Sequence, residues 1–156
     1  MINISSNDWF EHIHKRKTLS PTEQLYLRVG YEYGERGKRI DAEYLKSALD
    51  AYAVSKLDIP LDKLKSSRRH RNLVEARQMF AHCLKENTNI SLAEIGRYYN
   101  KDHATIIFSI KKVEELLTTD KLFRIKYCNL LRAMGLTNKA NKITEKYSKK
   151  WNTRNH

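Results

Sequence analysis

Five consecutive side chains, at positions 101 to 105, combine chemical groups that proteins use to read nucleic-acid bases. Asp102 can accept a hydrogen bond from a cytosine amino group, and His103 can stack on a base or hydrogen-bond to it. Thr105 offers a hydroxyl and a methyl group, and Ala104 offers a methyl group alone. Lys101 adds a positive charge beside them. These groups can act together only if one structural element presents them to the same surface.

Two short amphipathic helices flank these residues and would position them. Ser91 and Glu94 have the spacing of a capping box, and apolar residues follow at helical spacing, namely Leu92, Ile95, Tyr98 and Tyr99. Asn100 ends this helix, because asparagine tolerates the left-handed conformation that a sharp turn needs. Asp102 can cap the second helix, whose buried stripe is predicted to be Ile106, Ile110, Val113 and Leu117.

This spacing predicts a helix-turn-helix, in which the first side chains of the second helix face base edges in the major groove of DNA. The same pattern also fits an αα-hairpin within a helical bundle. In that alternative, His103 and Thr105 would only be solvated. The spacing alone does not separate the two structures, so the residues that precede the helix pair become important.

A basic segment, residues 66–72, lies some twenty positions before the helix pair and reads Ser66-Ser67-Arg68-Arg69-His70-Arg71-Asn72. Its three arginines carry permanent positive charges, and arginine is the side chain that fits a narrow minor groove. Alone, an Arg-Arg-x-Arg sequence is typical of a solvated surface. A helix over residues 74–87 is predicted to follow, with a buried face formed by Ala76, Met79, Phe80, Cys83 and Leu84.

Several of these motifs, in this order and at this spacing, resemble the C-terminal DNA-binding domain (domain IV) of the bacterial replication initiator DnaA. The resemblance covers about residues 42–117, half of the chain. It rests on the Arg-Arg-x-Arg of the basic segment, on the pair Arg77-Gln78, on Ser91-Leu92-Ala93-Glu94-Ile95-Gly96, and on Asp102-His103-Ala104-Thr105. Helices before the basic segment, with Leu45, Ala48, Leu49 and Tyr52 on the buried face of the first, also look like those of the family.

The resemblance implies a role in DNA binding for particular residues. In the family the basic segment contacts the minor groove, and Arg69 matches the main inserted arginine, beside Arg68 and Arg71. Arg77 and Gln78 would hold a phosphate at the start of the following helix. The positions matching the family signature are Asp102, His103, Ala104 and Thr105, which would face base edges. Lys101 would contact a phosphate or a purine, and Ser91 completes the set of expected DNA-binding residues.

The sequence also departs from the family pattern. Ala104 replaces the first threonine of the signature and cannot hydrogen-bond, so the preferred DNA sequence is expected to differ from the DnaA-box consensus. Lys101 replaces a common arginine, which removes a bidentate contact to guanine. Glu75 stands where a basic residue is sometimes found and would repel a phosphate. Ala76 replaces the usual proline.

The charge of the chain points to a polyanionic partner. The 156 residues carry a net charge of +12. Residues 119–156 hold most of it, with ten basic and two acidic side chains, whereas the net charge is +1 over residues 1–41 and +3 over residues 42–118. We therefore expect sequence reading by the middle of the chain and attraction of phosphates by its C-terminal part. A merely solubilising basic tail is the alternative.

An all-α fold is predicted, because only five Gly and two Pro occur. Together with the helix pattern, this indicates a compact helical bundle that contains the helix-turn-helix and has extra helices at both ends. The expected domains are an N-terminal helical extension (1–41), the DnaA domain IV-like domain (42–118) and a basic helical C-terminal extension (119–156). Helices are predicted to begin near Ser6 and at Ser20-Pro21 in the first part. In the last part they are predicted over residues 120–133 and from Thr137 or Asn138.

The sequence gives no sign of an enzyme, a cofactor or a metal site. His12 and His14 are two positions apart, which does not place them on one helical face, and Cys83 and Cys128 are expected to be buried thiols. The fragment from Gly34 to Arg39 lacks the glycine spacing of a nucleotide-binding phosphate loop. No signal peptide or apolar membrane segment is found, so we expect a cytoplasmic, nucleoid-associated protein. Without an ATPase domain, it should not melt DNA.

These observations favour a sequence-specific double-stranded DNA-binding protein without ATPase activity. It would regulate replication or transcription, and an origin in a phage or a mobile element is equally compatible with the sequence. The alternative is a protein–protein adaptor that binds a partner through its N- or C-terminal helices and contacts DNA only weakly.

Overall fold

The computed structural model describes residues 39–154, with the side chains of residues 39–149. The helices predicted near Ser6 and Ser20, and both His12 and His14, lie outside the described residues. Within that range the chain forms seven helices and no strand, which confirms the predicted all-α fold. The helices are α1 Ala42–Ser55, α2 Leu61–Leu64, α3 Arg71–Asn87, α4 Leu92–Tyr99, α5 His103–Thr119, α6 Lys121–Ala133 and α7 Thr137–Arg154.

Four of these helices begin at a side chain that accepts a hydrogen bond from the free backbone amides of the first turn. Asp41 accepts from the amides of Glu43 and Tyr44 at the start of α1. Ser91 begins α4, Asp102 begins α5 and Asp120 begins α6 in the same way. Such caps depend on residues two or three positions apart, so the sequence predicts all four starts. It predicts Ser91 and Asp102 as caps, Asp41 or a neighbour as the cap of α1, and a helix that begins at residue 120.

Helix α3 lies at the centre of the fold and packs against α1, α2, α4 and α5. Its predicted buried face is confirmed, since Ala76, Met79, Phe80, Cys83 and Leu84 are all buried. The helix begins at Arg71, three residues before the predicted start. The backbone amides of Leu73 and Val74 both donate to the carbonyl oxygen of His70, which adds the extra turn. Arg71 therefore lies on a helix and not in a loop.

Helices α6 and α7 pack against each other, and α6 also packs against α5. Gly135 joins the two helices with a φ of 77°, as expected for a glycine that ends a helix. Tyr127 of α6 reaches His82 of α3, where its hydroxyl lies 2.5 Å from the ring nitrogen Nδ1. Side chains of α6 and α7 thus join the same buried cluster as those of α1 to α5, and the last member of this cluster is Ala140.

The predicted domain boundaries, after residues 41 and 118, stay a prediction.

Cys83 and Cys128 are both buried and free, as expected. Of the helices in residues 39–154, none combines the length and the apolar character that crossing a bilayer requires.

Candidate nucleic-acid interface

The turn between α4 and α5 has the geometry that the sequence predicted. Asn100 adopts the left-handed conformation, with φ 54° and ψ 44°. The amide of Lys101 donates to the carbonyl oxygen of Gly96 at 2.8 Å, which closes the turn. Gly96 also has to be a glycine, because a Cβ atom there would lie 2.5 Å from the carbonyl oxygen of Lys101. The two helices therefore approach each other closely at this point.

The first turn of α5 is exposed and carries the predicted base-reading side chains. His103, Ala104 and Thr105 are all exposed, and the next residue, Ile106, is buried. Asp102 is exposed as well, and one of its carboxylate oxygens accepts a hydrogen bond from the amide of Thr105 at 2.7 Å. Hydrogen bonds from Thr105 lower the pKa of Asp102, so this side chain is ionised at neutral pH. A carboxylate has several acceptor sites, and those that Thr105 does not use can accept from a ligand.

Arg77 fastens the basic segment to the fold. Only 7% of this residue is exposed, and its guanidinium group donates four hydrogen bonds to backbone carbonyl oxygens. Nε donates to Leu64 at 2.6 Å and Nη1 to Arg68 at 2.7 Å, while Nη2 donates to Lys63 at 3.0 Å and to Ser66 at 2.9 Å. The planar fork of arginine suits such a set of diverging acceptors. Arg77 thus lies beneath the basic segment, and not at the surface where a phosphate would be held.

Two side chains of the helix-turn-helix elbow bind the same stretch of backbone. The ammonium group of Lys101 donates to the carbonyl oxygen of Ser66 at 2.9 Å, and the side-chain amide of Asn100 donates to that of Lys65 at 3.2 Å. The basic segment is therefore held from both sides, by Arg77 of α3 and by the elbow. The sequence predicts neither contact. It indicates a phosphate or a purine as the partner of Lys101, and for Asn100 it indicates only the turn.

The arginines of the basic segment form an exposed positive surface beside the elbow. Arg68, Arg69 and Arg71 are all exposed. The pKa of Lys101 is lowered first by burial and then by the positive charges of Arg77 and Arg69, which shows how closely the basic groups lie. Repulsion of this kind is relieved when an anion approaches.

Gln78 and Ser91 are placed less distinctively. Gln78 is half-buried on α3. Ser91 is exposed at the start of α4, where its hydroxyl oxygen accepts from the amide of Glu94 at 3.2 Å.

One exposed residue of α5 was missed by the sequence reasoning. Phe108 is 62% exposed and follows Ala104 by one helical turn. The signal in the sequence was its position outside the stripe of Ile106, Ile110 and Val113.

The sequence reasoning also missed a cluster of contacts around Tyr98, in the helix that precedes the elbow. Tyr98 of α4 donates a hydrogen bond to the carboxylate of Asp50 on α1. The ammonium group of Lys65, next to the basic segment, lies 4.0 Å from the centre of the Tyr98 ring. Together these contacts link α1, α4 and the chain just before the basic segment.

The exposed first turn of α5, the left-handed elbow and the fastened basic segment together form a helix-turn-helix. Residues 52–113 match the family model for the bacterial dnaA protein helix-turn-helix. This stretch of the chain is therefore a DnaA domain IV-like segment, as the motifs in the sequence had indicated.

Comparison with individual proteins also shows similarity to DnaA. The chain is similar to the chromosomal replication initiator protein DnaA of Flavobacterium psychrophilum, with 34% identity over 105 residues, 66% of this chain and 21% of the relative. It is also similar to the DnaA proteins of Rickettsia akari and Rickettsia canadensis, each with 45% identity over 67 residues, 42% of this chain and 14% of the relative. The matched stretch thus spans about a fifth or less of these relatives. No solved structure matches the chain significantly.

Proposed function

We propose that this chain binds double-stranded DNA at specific sites that resemble the DnaA box. Helix α5 lies in the major groove, and the basic segment enters the adjacent minor groove. The observation that carries this proposal is the fastening of the basic segment to the elbow by Lys101 and Asn100. Because of it, the two elements that would read DNA form one unit with a fixed spacing. The similarity of residues 52–113 to the helix-turn-helix of DnaA supports the same function.

The exposed groups at the start of α5 read the bases. Asp102 accepts from a cytosine amino group, His103 stacks on a base or hydrogen-bonds to it, and Thr105 offers its methyl and hydroxyl groups. Phe108, one turn farther along from Ala104, packs against a thymine methyl group. Ala104 and Phe108 thus offer a methyl group and a phenyl ring as neighbouring apolar groups. Because of them, the preferred DNA site differs from a site that is recognised by hydrogen bonds alone.

The exposed arginines supply the second contact. Arg69 and Arg68 enter the minor groove, and Arg71, at the first turn of α3, approaches a phosphate. Arg77 and Lys101 act by positioning, because their charged groups are already bonded to the backbone of this region. Gln78 contacts a phosphate, and Ser91, at the start of α4, contacts DNA. Exposed lysines of α7, such as Lys142 and Lys149, attract the DNA backbone without reading its sequence.

The function is tested by measuring the affinity of the full chain for a DnaA-box duplex and for a scrambled duplex over a series of salt concentrations. The proposal predicts a preference that survives at high salt. Arg69→Ala or His103→Ala should reduce it about ten- to hundred-fold, since a good base contact contributes that much discrimination. Arg132→Ala is a charge-matched control, because this exposed arginine lies on α6.

A second set of variants separates attraction from reading. Lys142→Ala should weaken binding to both duplexes alike and lower the slope of log affinity against log salt by about 0.9. Selection of bound sites from random duplexes would then give the consensus that Ala104 and Phe108 specify. Equal affinity for all duplexes at every salt concentration would refute sequence-specific binding.

The alternative function, a protein–protein adaptor, has one observation in its favour. Leu122 and Ile125 on α6 are 70% and 47% exposed and could contact a protein partner. An adaptor would show no DNA preference in the assay above, and Leu122→Ala would leave that result unchanged. A regulatory role in replication or transcription follows from the first proposal and depends on where the selected sites occur in a genome.

A further inference from the structure

A cavity of about 590 Å³ lies between α3, α5, α6 and α7. His82 and Glu86 of α3 line it, and they are four residues apart, so they share one helical face. Glu114 of α5 lines it from the opposite side. The cavity therefore brings together one imidazole and two carboxylates from two helices.

The ligand atoms of these three side chains are close enough to share one ion. A ring nitrogen of His82 and one carboxylate oxygen each of Glu86 and Glu114 all lie within 4.8 Å of one another. Ligands of a tetrahedral zinc ion lie about 2.0–2.2 Å from the metal and hence about 3.4 Å from each other. Glu86 and Glu114 are exposed, and rotation of their side chains can close the remaining distance.

His82 is oriented as a metal ligand would be. It is 7% exposed, and its Nδ1 atom lies 2.5 Å from the hydroxyl oxygen of Tyr127. This is its one hydrogen bond among the described residues, so Nε2 is the ring nitrogen left for an ion. A buried partner on the second nitrogen is what fixes the ring of a ligating histidine.

Within residues 39–149, neither Glu86 nor Glu114 forms a salt bridge, although Glu86 interacts electrostatically with Lys139. Three lysines line the same cavity, namely Lys139, Lys142 and Lys146. Lys139 bonds the side-chain oxygen of Asn87, and Lys146 lies 5.4 Å from the centre of the Tyr147 ring. Two carboxylates held this close repel each other. A divalent cation between them would remove that repulsion.

We propose that His82, Glu86 and Glu114 bind a divalent first-row transition metal ion of the Zn²⁺ class. An imidazole ligand distinguishes this class from Mg²⁺ and Ca²⁺, which prefer oxygen ligands alone. Three protein ligands leave one position for water. The ion joins α3, which carries Arg77, to the recognition helix α5, and Tyr127 connects the site to α6. It would therefore fix the two helices that carry the proposed DNA surface.

The test uses the full chain after treatment with a chelator, and its probes are Zn²⁺ and Co²⁺ alone. Calorimetry should show one Zn²⁺ per chain, and Co²⁺ should give the visible absorption of a tetrahedral site. At a Zn²⁺ concentration a hundred times the Kd, the Tm should rise by about 5–10 °C. Because no DNA is present, this result is independent of the proposed function.

Substitutions at the site distinguish it from incidental binding. Glu86→Gln and Glu114→Gln, both at exposed positions, should each weaken Zn²⁺ binding about a hundred-fold or more, and Tyr127→Phe should weaken it about 10- to 100-fold. Glu115→Gln is the matched control, because it makes the same change one residue along α5, outside the cluster. His103→Ala tests the exposed histidine at the other end of that helix.

Binding that is lost in the two glutamine variants and kept in both controls would support the site. The proposal is overturned if the parent chain binds no Zn²⁺ at micromolar concentrations. It is equally overturned if the double variant Glu86→Gln/Glu114→Gln binds as tightly as the parent, or if His103→Ala abolishes binding.

Discussion

Replacing Arg77 tests whether this residue builds the interface or touches DNA. Its guanidinium group donates four hydrogen bonds, of 2.6 to 3.0 Å, to carbonyl oxygens of residues 63 to 68. A hydrogen bond contributes about 1 kcal/mol net, so four would contribute about 4 kcal/mol. The freed carbonyl groups can regain water, which reduces the loss. We therefore expect Arg77→Ala to lower the free energy of unfolding by about 3 kcal/mol.

Arg77→Lys should be intermediate, because a lysine has no planar fork and can reach only some of the four acceptors. We expect a loss of about 2 kcal/mol in this variant. Urea unfolding followed by far-UV circular dichroism measures both variants. Arg71→Ala is the matched control, since it removes the same charge from the same helix at an exposed position. Its free energy of unfolding should stay within about 0.5 kcal/mol of the parent value.

DNA binding gives the second measurement for these variants. If Arg77 only positions the basic segment, Arg77→Lys should lose preference for the specific duplex while the salt dependence of binding is kept. Arg77→Ala with unchanged stability, together with a salt slope lower by about 0.9, would refute the positioning role. That outcome would support the phosphate contact that the sequence predicts for Arg77.

Three further predictions concern the elbow and the core. Gly96→Ala should cost about 1–3 kcal/mol in urea unfolding, because the added methyl would lie 2.5 Å from the carbonyl oxygen of Lys101, and an unchanged midpoint would contradict this. The carboxyl of Asp102 should titrate below its ordinary pKa in carbon-13 NMR, since Thr105 favours the ionised form. The Asp102 cap therefore stabilises the folded protein above the unfolded-state pKa, and this stabilisation is lost as the pH falls through the folded-state pKa. An ordinary pKa for Asp102 would contradict the prediction. Burial raises the pKa of Cys83 to about 12, so iodoacetamide should modify the native thiol far more slowly than the unfolded one, as mass spectrometry can measure, and equal rates would contradict that burial.

The sequence alone was sufficient for the local features of this protein. The caps at Ser91, Asp102 and Asp120, the left-handed Asn100 and the glycine turn at Gly135 were all predictable, because each depends on residues within a few positions of one another. The exposure of His103 and Thr105 followed from the same periodicity that buried Ile106. Motifs spread over half of the chain then indicated the DnaA-like segment, which the family match confirmed.

The roles of the charged side chains were decided by the tertiary structure. Arg77 and Lys101 were assigned to DNA from the sequence, yet in the fold both are bonded to backbone carbonyl groups around Ser66. His82, Glu86 and Glu114 gave no signal as a set, because Glu114 is far from the other two along the chain. A sequence shows which side chains carry charge. It does not show which backbone oxygens packing removes from water, and those oxygens determine where a buried charge must point.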